Sequence, residues 1–160
     1  MSQARKLLIF GGLALACLGM AYGLYYALFV EHQTLDGMGG ALTEAFVKAA
    51  ERHMPKSNAA LDAYSRTKYI YVRQVDVHSH WIGLAMLLIA LGMAFDRVSF
   101  AERTRLWIAT ALLIGSAVFP LGVLLQTLVE GPLPSALAII GSTLVIGALA
   151  LTAVGFARSD

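Results

Sequence analysis

Hydrophobic residues in this chain are gathered into four runs, separated by two short polar interruptions and one long polar stretch. The runs extend from about Leu7 to Val30, His80 to Phe95, Leu106 to Val129 and Leu133 to Phe156. A helix rises about 1.5 Å per residue and the hydrocarbon core of a bilayer is roughly 30 Å thick, so about 20 apolar residues span it. The second run is the shortest and fits only if its helix begins before His80. In hydrocarbon, backbone groups find partners only inside helices or closed barrels, and no run shows the period-two alternation of a barrel strand. The pattern predicts an all-α integral membrane four-helix bundle, a single domain over residues 1–160, with two short amphipathic helices between the first and second spans.

Those two helices fall in the long stretch 31–77. Leu42, Ala45, Phe46, Ala49 and Ala50 recur at helical spacing, with Thr43, Glu44, Lys48, Glu51 and Arg52 on the other side. Pro55 is expected to end this helix. Ser57 can cap the next, whose stripe is Leu61, Tyr64, Tyr71 or Val72, and Val75, interrupted by Lys68. The glycines of Gly37-Met38-Gly39-Gly40 are expected to turn the chain from the first span into this cap, which would lie on the membrane surface or over the span ends.

Within the spans, close packing rather than hydrophobic exclusion holds helices together, so small residues four apart are candidate contacts: Gly12 with Ala16, Gly19 with Gly23, Thr143 with Gly147. Pro120 is expected to kink the third span. Tyr22, Tyr25, Tyr26 and Trp81 at one interface and Trp107 at the other form an aromatic belt.

Composition agrees with this placement. Of 160 residues, 58% are hydrophobic and only 14% charged, which is wrong for a soluble globule. A net charge of +2, with no basic cluster interleaved with aromatics, excludes a nucleic-acid surface. Arg5, Lys6, Arg97, Arg103, Arg105 and Arg158 all lie at one end of the spans, whereas the long stretch balances six bases with six acids. The positive-inside rule then puts both termini in the cytoplasm and the cap outside, in the inner (plasma) membrane of a cell. The single cysteine, Cys17, excludes an internal disulfide and a thiolate cluster. Arg5 and Lys6 ahead of an apolar run and Ala16-Cys17 superficially match a lipoprotein signal, but the run continues past the cysteine to Val30 and Ala14 stands where such signals usually carry Leu, so a true span is the reading.

Candidate chemistry is confined to the outer side, where all four histidines fall: His32, His53, His78 and His80. His32 follows the first span beside Glu31, and His78 and His80 open the second behind Asp76, so antiparallel spans bring them to a similar depth. Imidazole is a common ligand for zinc, copper and haem iron, and a carboxylate can ligate or orient it. In an extended backbone Asp76, His78 and His80 share one side; in a helix Asp76 and His80 share a face while His78 diverges by about 200°. The helical form, beginning near Tyr69, makes His80 the principal ligand and Asp76 its orienting partner. His53 continues the Leu42-Phe46-Ala49 stripe and can fold over the same region, or simply interact with the negative end of its helix dipole. Met38, Met54 and Met86 suit copper, although methionine in such a chain usually packs.

The segment Val77-His78-Ser79-His80-Trp81-Ile82-Gly83-Leu84-Ala85-Met86 resembles the His-x-His start of the second helix in small bacterial membrane proteins distantly like subunit I of haem-copper oxidases and nitric oxide reductases of the respiratory chain. The resemblance implies an axial haem ligand at His80 or His78. It covers about twenty residues and departs from that pattern in two respects: the fourth span offers Ser142 and Thr143 but no histidine, leaving His32 as second ligand, and the cap is longer than the connection expected. No ionisable residue falls in mid-span, which disfavours a pump or proton-coupled transporter. There is also no phosphate loop, nucleophile elbow or zinc-protease motif. Two expectations remain: a metal or haem protein (copper or zinc the metals) with a redox or metal-handling role at the outer face, or a non-catalytic accessory subunit or homo-oligomer whose cap contacts a partner.

Overall fold

The computed structural model describes residues 1–158. It contains α1 (Gln3–Phe29), α2 (Glu31–Ala50), α3 (Met54–Ala94), a 3-10 turn (Phe95–Arg97), α4 (Glu102–Leu125) and α5 (Pro132–Ala157), with no strand among the described residues. Four helices are long and apolar enough to cross a membrane: α1, α3 with the turn that follows it, α4 and α5.

The largest departure from the expected layout lies between the first two spans. Gly37, Gly39 and Gly40 make no turn; they lie inside α2, which continues from α1 with only Val30 (φ −123°, ψ −44°) out of helical line. Each glycine costs a helix about 1 kcal/mol relative to alanine. The cost is overridden because Thr34, Met38, Ala41 and Ala45 form a seam buried or half-buried along α3. Pro55 does not end the preceding helix but sits in the first turn of α3, where its missing N–H has no helical partner to lose. The chain reverses in a Schellman motif, with Arg52 at φ 61°, His53 N–H donating to Lys48 O (2.8 Å) and Arg52 N–H to Ala49 O (2.9 Å). The expected second cap helix and second span are one uninterrupted helix of 41 residues.

At about 1.5 Å per residue α3 is roughly 60 Å long, twice the hydrocarbon core, so its first half projects beyond the bilayer alongside α2. Helices α1 and α2 pair with α3 in one antiparallel register throughout. Gly92 meets Leu8 and Ile9, Gly12 meets Ala85 and Leu88, Gly19 meets Trp81 and Ile82, Gly23 meets His78, and Ser57 Oγ donates to Ala45 O at 2.9 Å. Helix α4 packs on both α1 and α3, while α5 lies along α4 and the loop ahead of it, where Ser99 N–H donates to Gly155 O (3.0 Å).

The α4–α5 seam is made of small residues. Pro134, Ala138, Gly141, Val145, Ala148, Thr152 and Gly155 are the buried positions of α5, alternately four and three apart, the 3.5-residue period of a left-handed pairing. Added Cβ atoms at Gly122 and Gly141 would collide with the backbones of Ala138 and Phe119. The expected Thr143–Gly147 pair is not this seam: Gly147 has open space around it, and its neighbour Ile146 is 67% exposed. The seam follows the 3.5 period instead, leaving the large aliphatic residues of α5 to face outward.

At the basic end, a polar clasp ties the N-terminus to the α3–α4 connection. Ser2 Oγ donates to Asp96 Oδ1 (2.5 Å) and accepts from Arg5 N–H (3.2 Å), Arg5 pairs with Asp96 (3.1 Å), Gln3 N–H donates to Glu102 (3.0 Å), and Glu102 pairs with Arg105 (2.6 Å). The hydroxyl of Ser2 and the Arg5 guanidinium hold the Asp96 carboxyl below its ordinary value of 3.8.

Two measurements test this packing. Gly141→Val should destabilise the α4–α5 pair by about 1–3 kcal/mol, as overpacking does, whereas Gly147→Ala should stay within about 0.5 kcal/mol in thermal unfolding in detergent. A carboxyl whose folded-state pKa is depressed contributes stability above its unfolded pKa and loses it as pH falls through the folded value. Hydrogen-exchange protection of residues 3–6 should therefore be flat from about pH 5 to 8 and decline below about pH 4. In Asp96→Asn it should already be reduced at neutral pH, with the acid-dependent decline gone.

Candidate functional site

The structure separates the residues that the sequence grouped. His32 is on α2 with its side chain 90% exposed and Nε2 3.6 Å from Asp36. His53 lies between α2 and α3, closing the first through its N–H on Lys48 O and preceding the second, with its Nδ1 3.7 Å from Glu51. It lies 25 positions before His78 in the sequence, about 38 Å away along α3. His78 turns to α1, its Nδ1 2.9 Å from Gly19 O, while His80 turns to α4, meeting the Phe119 ring edge-on at 4.8 Å between centroids. Asp76 does orient His80, but through its backbone carbonyl, 2.6 Å from His80 Nδ1, and not through its carboxylate.

The reason is the helical period. Two residues separated by one position point about 200° apart, and α3 is helical through both histidines because nothing between Ser57 and Ala94 interrupts it. Among the described residues no three His, Cys, Asp or Glu side chains gather where they could hold a metal ion. His78, His80, His32, Asp76 and His53 are thus not gathered into one group of side chains. Met54 and Met86 are exposed and add nothing to one.

Two features take the place of that cluster. The first is a cavity of about 230 Å³ where α1, α2 and α3 meet, lined by Gly23, Tyr26, Ala27, Glu31, Val75 and His78. Gly23 creates room for the imidazole, since a Cβ there would overlap Nδ1 and Cε1 of His78. A carbonyl oxygen only accepts, so the bond to Gly19 fixes the proton of a neutral His78 on Nδ1 and leaves Nε2 an acceptor. Tyr26 is 6% exposed, and its buried hydroxyl lies beside the Thr34 side chain. Its ring stacks with Tyr22 (6.5 Å) and tilts against Tyr71 (6.4 Å). Sequence reasoning treated Gly23 and Tyr26 as packing and belt residues. The available signal was that a glycine about two turns before the span end stands level with His78 in an antiparallel pair.

The second feature is an unpartnered face of the α2–α3 hairpin. The seam uses Thr34, Met38, Ala41 and Ala45 on α2 and Ser57, Ala60, Tyr64, Thr67 and Tyr71 on α3. About a quarter turn away, Leu35 and Phe46 on α2 and Met54, Leu61 and Val72 on α3 are exposed, Phe46 to 68%. Because the helices are antiparallel, the same rotation from each seam brings both sets to one side, with Phe46 level with Met54. On α3 the line continues at heptad-like spacing through Ser79, Gly83, Met86 and Ala90, all exposed, on the side away from α4.

The chain matches no known protein family, and comparisons with curated proteins and with solved structures give no match.

The His78–Gly19 contact predicts a proton on Nδ1 of His78, readable in the ¹⁵N spectrum of the selectively labelled protein. Gly23→Ala should displace the ring and abolish that signature while preserving helical content.

Proposed function

We propose that the protein is a non-catalytic accessory subunit of a larger membrane assembly. In this reading the four apolar helices form a bundle in the cell's inner membrane with both termini cytoplasmic. They hold the α2–α3 hairpin upright on the outer side, where it binds a partner. The orientation rests on Arg5, Lys6, Arg97, Arg103, Arg105 and Arg158 at the end of the clasp.

The observation that carries the reading is a line of exposed residues along α3, Leu61 and Val72 in the projecting half, with Ser65 and Lys68 between them, and Gly83, Met86 and Ala90 in the apolar half. Phe46, Met54, Leu61 and Val72 expose large apolar side chains on one side of the hairpin, and full burial of each by a partner is worth about 1.5–3 kcal/mol. In lipid the same line offers small residues, Ser79, Gly83 and Ala90, that let a second helix approach closely. A partner covering both halves must itself be a membrane protein with helices reaching past the bilayer.

A photo-cross-linking residue placed at Phe46 or Leu61 should capture one defined membrane partner, whereas one placed at Arg66, on the other side of the hairpin, should not. Phe46→Glu with Leu61→Glu should reduce stoichiometric co-purification with that partner at least about tenfold with circular dichroism unchanged. A Soret band, or stoichiometric bound copper or zinc lost in His78→Ala and His80→Ala, would replace this reading with a redox or metal-handling one.

A further inference from the structure

At the clasp end, positive charge exceeds what the clasp engages. Among the described residues two acids lie there, Asp96 and Glu102, and both are held within the protein. Asp96 is bound by Arg5 (3.1 Å) and Ser2, and Glu102 by Arg105 (2.6 Å) and the Gln3 N–H (3.0 Å). Lys6, Arg97 and Arg103 are exposed and make no ion pair among the described residues, while Arg158 lies over the Phe100 ring (5.8 Å). The surplus is cationic and faces outward.

Lys6 also lines a groove of about 410 Å³ between α1 and α4, together with Gln3, Leu7, Phe10, Gly11 and Leu106. The two helices touch at Gly11, where Leu113 occupies the space a Cβ would take. On the clasp side of that contact the walls are Leu7, Phe10 and Leu106, with Phe10 64% exposed. Both helices change from polar to apolar at this level: Lys6 is followed by Leu7, and Arg105 by Leu106. Arg103 stands one turn before Leu106 on the same face of α4, and the Gln3–Glu102 bond holds the first turns of the two helices together. The groove therefore joins a cationic mouth to an apolar track that follows the helices into the hydrocarbon.

Three occupants can be compared on that chemistry. A free phosphate matches the bases but leaves Phe10 and Leu106 uncovered. A zwitterionic phospholipid covers the apolar walls but brings its own cation toward Lys6 and Arg103. A phospholipid with net negative charge satisfies both ends, since basic pockets between spanning helices hold anionic head groups. The Lys6 ammonium offers a compact charge with three donors, and the Arg103 guanidinium offers a planar fork that fits phosphate.

We propose that the α1–α4 groove at the clasp end binds an anionic phospholipid, with its phosphate against Lys6 and Arg103 and one acyl chain along Leu7, Phe10, Gly11 and Leu106. This requires the helices to cross a bilayer but not the hairpin to have a partner, so the two proposals fail separately.

The test releases the full chain into native mass spectrometry from nanodiscs of equal phosphatidylglycerol and phosphatidylcholine and counts the lipids retained. Phosphatidylglycerol should be retained about tenfold over phosphatidylcholine, and Lys6→Gln with Arg103→Gln should lower that ratio to about twofold. Arg97→Gln with Arg158→Gln removes the same charge from the same end outside the groove and should leave the ratio near the wild-type value. Circular dichroism and thermal unfolding establish that both double variants fold. In the wild-type chain, phosphatidylglycerol with a photoactivatable group in the upper half of one acyl chain should label residues 7–11 and Leu106. Equal retention of the two lipids, or an equal fall in both double variants, would overturn the proposal. So would labelling no stronger in the groove than at Ile139 and Ile146, which face outward on α5.

Discussion

The antiparallel seam between α1–α2 and α3 governs the rest of the molecule. It is built where backbones approach closely, and glycine is the means: Gly12, Gly19 and Gly23 on one side and Gly92 on the other leave no room for a Cβ against the facing side chains. In lipid there is no water to expel between helices, so such close contacts and their dispersion energy hold the pair together. Because register is set inside the membrane and kept without interruption to Ser57, the order of the projecting hairpin is inherited from the spans. A hairpin of this length in water would be marginal without an anchored base.

The same seam decides where each imidazole goes. A continuous helix has one face for α1 and another for α4, and residues 78 and 80 fall one on each. His78 enters the slot left by Gly23, and His80 packs beside Phe119 on the α4 side. Two helix interfaces each receive one polar ring with its Nδ1 held by a backbone carbonyl. Both rings are structural elements of the packing before they are anything else, and only His78 borders an open space.

Much of the architecture was legible from apolar run length alone, because the bilayer thickness imposes it: α1, α4 and α5 fall within a few residues of the runs that announce them. Local signals were poorer guides where tertiary packing competed with them. Three glycines within Gly37–Gly40 read as a turn, yet α3 offers that segment a surface and the helix persists. Pro55 read as a terminator and is an initiator, a distinction that depends on which helix claims it. The α4–α5 seam escaped the search for small residues four apart because its period is 3.5. The four histidines fall within one stretch of sequence, but His32 and His53 lie on the α2–α3 hairpin while His78 and His80 turn to different helices, so closeness in sequence is not convergence. Tyr26 carried no sequence mark separating it from Tyr22 or Tyr25; its distinction is enclosure, which only the fold confers.

The single rod formed by α3 also has a mechanical consequence. With roughly 30 Å of it beyond the length that crosses the hydrocarbon, a tilt of about 10° in its apolar half sweeps the far tip sideways by about 5 Å. The tip carries the Schellman turn and the Phe46–Met54 pair, so a small reorientation among buried helices is magnified into a displacement comparable to a side-chain length. The helix is a lever whose fulcrum lies at the junction of α1, α2 and α3, beside the cavity that His78 borders.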